Sequence, residues 1–172
     1  MNMKVFISYH RADNSYRKKA ENILKSHGVD YYVVPANKSF NGQSAESIKT
    51  FLCDRLKQCD VLLCLIGKDT YSRPHVDHEI HTALKGSVGE RLGVIGVHLP
   101  NRNDQLQNID LNTFPTKLWD NKEYVVWTEW KSLNDNIIDL VQEAYKRSNN
   151  KKYQTNHKNP CMQLRQTRYY DN

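Results

Sequence analysis

The six residues Val61-Leu62-Leu63-Cys64-Leu65-Ile66 contain no charged or hydrogen-bonding side chain apart from one thiol. A strand with one wet face would alternate apolar and polar residues. An unbroken run of this length instead reads as a strand covered on both faces, which is the situation of central strands in parallel sheets. Few architectures provide that cover. The usual one places helices on both sides of the sheet.

The rest of the chain fits that requirement. Val5–Ile7, Tyr31–Val34, Leu92–Leu99 and Tyr124–Trp127 are shorter strand-like runs. Between them lie helical periods, with Tyr16, Ala20, Ile23 and Leu24 on one face and Ile48, Phe51, Leu52 and Leu56 on the next. A third helix starts at Pro74, a residue suited to a first turn, and carries Val76, Ile80, Ala83 and Leu84. A fourth runs through Leu133, Ile137, Leu140, Val141 and Ala144 behind Ser132 and Asp135, which resemble a capping box. Five strands alternating with helices predict a three-layer α/β domain over residues 1–148.

After Ser148 no periodic pattern remains, so residues 149–172 are expected to form a flexible polar tail. Lys151, Lys152, Lys158, Arg165 and Arg168 against Asp171 place most of the net charge of +6 there. The body is left only mildly basic, which argues against nucleic acid as a partner of the domain. No apolar run reaches the ~20 residues of a membrane span, and the N-terminus has no signal-peptide core, so a cytoplasmic protein is expected. Cys53, Cys59, Cys64 and Cys161 show no CxxC spacing and read as reduced thiols.

Sites on parallel α/β sheets sit beyond the carboxyl ends of the strands. Three polar turns fall on that edge, and the first, Ser8-Tyr9-His10-Arg11-Ala12-Asp13, is unusually rich in functional groups. Asp13 is expected to cap the helix that follows. The chain lacks GxGxxG, GxxxxGK[ST] and GxSxG, which removes the standard dinucleotide, P-loop and α/β-hydrolase readings. A phosphoacceptor receiver domain would need an aspartate ending its third strand, where this chain has Leu65-Ile66-Gly67-Lys68.

The helix from Pro74 holds His75, His78, His81 and Glu79. At ~100° per residue His75 and Glu79 share a flank, while His78 and His81 turn toward solvent, so no shared metal ion is expected. Glu79 lies at the border of the apolar face, where its carboxylate should be partly buried.

Taken in order, KVFISYHRAD, IKTFLCDRLKQCDVLLCLIGKDTYSR and VDHEIHTAL resemble the TIR-like family, and among its members the TIR-like subunit of bacterial Thoeris anti-phage systems. The resemblance spans Met3 to Tyr145. It implies a flavodoxin-like fold and an enzyme that cleaves NAD between nicotinamide and ribose with no cofactor, NAD itself being the substrate. Glu79 matches the catalytic position. It further implies a cyclic ADP-ribose-type signalling nucleotide, a separate NAD-depleting effector reached through that nucleotide, and a phage-derived trigger. Relatives often carry tryptophan four residues before the glutamate; here that residue is His75.

Under this reading Tyr9 stacks on nicotinamide or adenine, or else is ordinary half-buried packing, while His10 and Arg11 meet the pyrophosphate and Tyr71 and His75 complete the substrate wall. The loop Pro35–Ser44 overhangs the site with Phe40 as its lid, or is a plain surface loop with Phe40 tucked into the body. The alternative function is a non-catalytic adaptor that pairs with other TIR surfaces by self-association.

Overall fold

A computed structural model describes residues 3–86 and 89–164. Five parallel strands, β1 (Lys4–Ser8), β2 (Asp30–Val33), β3 (Val61–Ile66), β4 (Gly93–His98) and β5 (Val126–Glu129), form one sheet in the order β2-β1-β3-β4-β5. This is the flavodoxin-like order, with its switch point between β1 and β3. Every residue of β3 is buried, as its composition requires. β5 begins two residues later than expected because Tyr124 and Val125 close the preceding turn, where the Tyr124 hydroxyl donates to the Leu92 carbonyl (2.6 Å).

Helices α1 (Asn14–Ser26) and α5 (Leu133–Asn149) cover one face of the sheet. α2 (Ala45–Leu56) and α3 (Pro74–Lys85) cover the other, with the single-turn α4 (Thr116–Trp119) beside α3. The close approach of α5 rests on Gly93, since a Cβ there would run into the backbone of Ala144. Gly96 similarly leaves room for the Trp127 ring.

Neither expected cap forms. α1 and α5 are each entered through a 3-10 turn, Arg11–Asp13 and Trp130–Ser132, and neither Asp13 nor Ser132 makes a side-chain cap bond. Both reach the helix in or near helical geometry, where the side chain no longer points at the N3 amide. At α2 the cap does form, with Ser44 Oγ accepting from the Ser47 amide (3.1 Å).

As far as Leu164 the C-terminal segment is no free tail. It lies as a strap along α3, α4 and α5, held mainly through its own backbone. Arg91 donates to the carbonyls of Ser148 and Tyr153, Asn121 to that of Asn156, and Lys117 to that of Pro160. The Met162 amide donates to Asp77 Oδ2 (2.9 Å), while its carbonyl pairs with His78 Nε2 (2.9 Å). The same contacts overturn the expectation that His78 faces solvent, and its ring is buried. Arg165, Arg168 and Asp171 lie outside the described residues. No described helix is long and apolar enough to cross a membrane.

Gly93→Ala should lower unfolding free energy by about 1–3 kcal/mol through overpacking against α5, read by chemical denaturation. Deleting residues 150–172 strips Asp77, Lys117 and Asn121 of partners. It should lower stability by at least about 1 kcal/mol; an unchanged denaturation midpoint would mean the strap contributes nothing.

Candidate functional site

The register pairs Ser8 of β1 with Cys64 of β3 across the switch point. Strand alternation points both side chains at the face covered by α2 and α3. Glu79, two turns into α3, meets them there. Ser8 Oγ donates to Glu79 Oε2 at 2.5 Å, and the glutamate is only 1 % exposed. It is thus wholly enclosed, where the helical pattern had suggested a border position.

Enclosure sets the electrostatics of this centre. Burial pushes the Glu79 carboxyl up to about 8, against the Ser8 hydrogen bond, which favours the ionised form. Burial, with Glu79 next to it, also raises the Cys64 thiol. The Tyr32 phenol on β2 is raised by burial too, against the pull of Arg55, with Cys59 and Glu79 adding to the rise. At neutral pH the centre is a set of uncharged hydrogen-bonding groups.

His75 stands one turn before Glu79. It is held down to about 4 by burial and by His78, so it is a neutral imidazole. Its ring stacks with that of Phe40 at 6.2 Å, and Phe40 in turn packs edge-on to Phe51 at 5.3 Å. Phe40 is fully buried. It is therefore an internal wall beside His75, tucked into the body.

Tyr9 is 2 % exposed and lies on the opposite face from Ser8. Arg17 of α1 sits over its ring at 5.6 Å, and its hydroxyl donates to the Val34 carbonyl (3.2 Å). Packed this way, it has no open ring face for a substrate to stack on. His10 is buried at the start of the following turn, and burial and Arg73 lower it to about 4, with Asp69 opposing. Arg11 is exposed. The first turn is therefore split between the two faces of the sheet, and Ser8 is the member that hydrogen-bonds Glu79.

Two polar clusters at the strand ends were not anticipated from sequence. Asp13, left free by the 3-10 turn, accepts from Asn101 Nδ2 (2.6 Å) and packs on the Cα of Gly67, where any Cβ would collide with it. Burial raises its carboxyl, opposed by Asn101. Beyond β4, Arg102 grips both oxygens of Asp104 (2.7 and 2.5 Å) and also donates to the Thr113 carbonyl. His98 Nε2 pairs with the same carboxylate at 2.9 Å. Although burial opposes it, these bonds and one from the Asp110 amide hold Asp104 well below the usual carboxylate range. A cavity of about 270 Å³ opens between this loop and the turn after β3, lined by Tyr71, Lys68, Asp69 and Arg102. Tyr71 thus sits at the rim of a cavity that Glu79 does not reach.

Asp13 was hidden by its plausibility as a cap. Ser8, by contrast, could have been found, since period-two alternation from Phe6 puts it on the face of α3. Among the described residues no group of three or more histidine, cysteine or acidic side chains could hold a metal ion.

Comparison with known proteins gives a family and a structural likeness. Among solved structures, the chain is similar to the TIR domains in the structure of the activated Roq1 resistosome directly recognizing the pathogen effector XopQ. The identity is 17% over 86% of this chain and 84% of that one, with a TM-score of 0.47. No curated protein matches. The family model described as Thoeris protein ThsB, TIR-like domain, matches residues 6–104, from β1 through the whole of α3 and β4 into the loop beyond. The chain belongs to the Thoeris ThsB TIR-like family.

Proposed function

We propose that this protein cleaves the nicotinamide–ribose bond of NAD and closes the ADP-ribose into a cyclic signalling nucleotide. In this reading the nucleotide activates a separate NAD-depleting effector during cytoplasmic anti-phage defence, after a phage-derived trigger. The observation that carries the reading is Glu79. It is a carboxyl group buried at the switch point and oriented by Ser8, at the position the family resemblance marks as catalytic.

The chemistry needs little more. Nicotinamide departs as a neutral ring from a pyridinium, so no general acid is required. The ribose carbon gains positive charge, which a fixed carboxylate stabilises by about 3–4 kcal/mol. A glutamic acid held neutral cannot do this, and a buried one cannot touch ribose. Access to Glu79 requires α3 or the Phe40 wall to move. The same movement would hydrate the carboxyl, lower its pKa and supply the anion. Opening and activation are then one event, which suits an enzyme that stays silent until infection. His75 and Tyr71 remain proposed substrate contacts on the opened edge, with His10 and Arg11 beside them. Tyr9 supports the edge from behind.

The enclosure of Glu79 favours a second reading, a non-catalytic adaptor in which the glutamate is only structural. One substitution separates the two. Glu79→Gln should lower formation of the cyclic nucleotide in extracts of triggered cells lacking the effector by roughly 10²–10³-fold, while wild-type formation rises from pH 6.5 to 9 as the carboxyl ionises. Product formation by Glu79→Gln equal to wild type would end the enzymatic assignment.

The folded protein also reports on this group without any trigger. Because its folded pKa is raised from 4.5 to about 8, Glu79 contributes stability that is complete below about pH 4.5 and lost as pH rises through 8. His10 and His75, lowered from 6.5 to about 4, act oppositely, with their contribution lost as pH falls through 4. Glu79→Gln should flatten the decline in melting temperature between pH 5 and 8.5, by about 2–4 °C for each kcal/mol recovered. Parallel pH profiles for the two proteins would show that Glu79 is not enclosed.

A further inference from the structure

A second cavity, of about 280 Å³, lies on the far side of α3 from Ser8, at the seam between α2, α3 and the strap. Lys49 of α2, His78, His81 and Lys85 of α3, and Cys161 of the strap line it, with the Thr82 hydroxyl on its wall. We propose that this seam is a binding site for a phosphate-bearing small molecule, independent of the NAD chemistry at Glu79.

Among the described residues the lining contains no carboxylate. Asp77, one turn before His81, is already committed, with Oδ1 accepting from Lys117 Nζ (2.7 Å) and Oδ2 from the Met162 amide (2.9 Å). Among the described residues Lys49 pairs with the exposed Glu46 alone, at 3.9 Å, a contact that water screens. Two ammonium groups, an imidazole and a hydroxyl therefore line one cavity, and among the described residues the one carboxylate in ion-pair range of either ammonium group is the exposed Glu46. Among the described residues, His81 Nδ1 is buried without a hydrogen-bond partner. A phosphoryl group offers several acceptor oxygens and up to two charges, which fits a set of donors arriving from two helices. The volume suits a phosphate or pyrophosphate, with the rest of any larger molecule reaching into solvent.

The surroundings of His81 give the site a pH signature. Burial lowers its pKa first, then Lys117 of α4 and Lys85, with Asp77 opposing and His157 of the strap adding to the fall. Lys49 faces the neighbouring His78, which burial also lowers. The Cys161 thiol is raised, by burial and by Asp77, so it stays uncharged. A bound dianion reverses the field on His81 and favours its protonated form. Binding should therefore be accompanied by uptake of a proton at His81. Because Cys161 and Met162 lie on the strap, a bound anion would also pin the strap to α2 and α3.

The test is calorimetric titration of the full-length protein with pyrophosphate at constant ionic strength, with phosphate, ADP and sulfate as parallel arms. The expected result is saturable one-site binding, accompanied by proton uptake read from the dependence of the heat on buffer ionisation enthalpy. Lys85→Ala and His81→Ala should each weaken it by about tenfold, while Lys151→Ala does not. Thermal melting checks that each variant folds, and slower proteolysis of the strap under pyrophosphate reports the pinning. ADP binding as tightly as pyrophosphate assigns a nucleotide, and a preference for pyrophosphate assigns the free anion. Binding that fails to saturate, matches sulfate, or survives both substitutions in folded protein overturns the site.

Discussion

Enclosing β3 on both faces is the constraint from which the remaining organisation follows. Six buried residues in a row need a helical layer above and another below, and parallel strands need crossovers long enough to supply them. The crossovers bring every strand's carboxyl end to one edge, so the turns after β1, β3 and β4 meet there. Gly93 lets α5 seat closely on one side, while Ser8 and Cys64 present small side chains to α3 on the other. A glutamate on α3 can reach the switch point only because those two neighbours are small.

At that point the fold accepts a local conflict. Burial of a carboxyl group disfavours its charged form, and here the Ser8 hydroxyl is too weak a counterweight to keep it ionised at neutral pH. Desolvation outweighs the hydrogen bond. The imidazoles of His10 and His75 are shifted the other way by the same cause, so glutamate and histidine alike are driven to neutrality. A centre without net charge packs comfortably in the resting protein, and such strongly perturbed groups mark sites of function more often than ordinary core.

Much of the architecture was legible because it rests on periodicity. The all-apolar β3, the 3.6-residue faces of α1, α2, α3 and α5, and Pro74 at the start of α3 all carry their own signals. Glu79 could be singled out, although its depth could not, since a helical wheel gives direction and not the thickness of what covers it. The phenol of Tyr9 suggests a substrate contact, but strand alternation sends it to the α1 face. Phe40 has no periodic context, and only packing on Phe51 and His75 decides its position. The loop holding Arg102 and Asp104 depends on bonds to Gly67, Thr113 and His98, and no local pattern in the sequence announces them.

The strap shows another way in which sequence conceals structure. Its path is fixed largely by side chains of the body, Arg91, Asp77, His78, Lys117 and Asn121, which grip peptide groups of residues 148–162. A peptide group is the same in every residue except for the amide missing in proline. Most side chains of the strap are therefore released from specifying where it lies. Over evolutionary time that stretch can drift in composition, and even exchange one polar residue for another freely, while the five body residues that hold it cannot. Variation there would record latitude in the strap's own sequence and no loosening of its place in the fold.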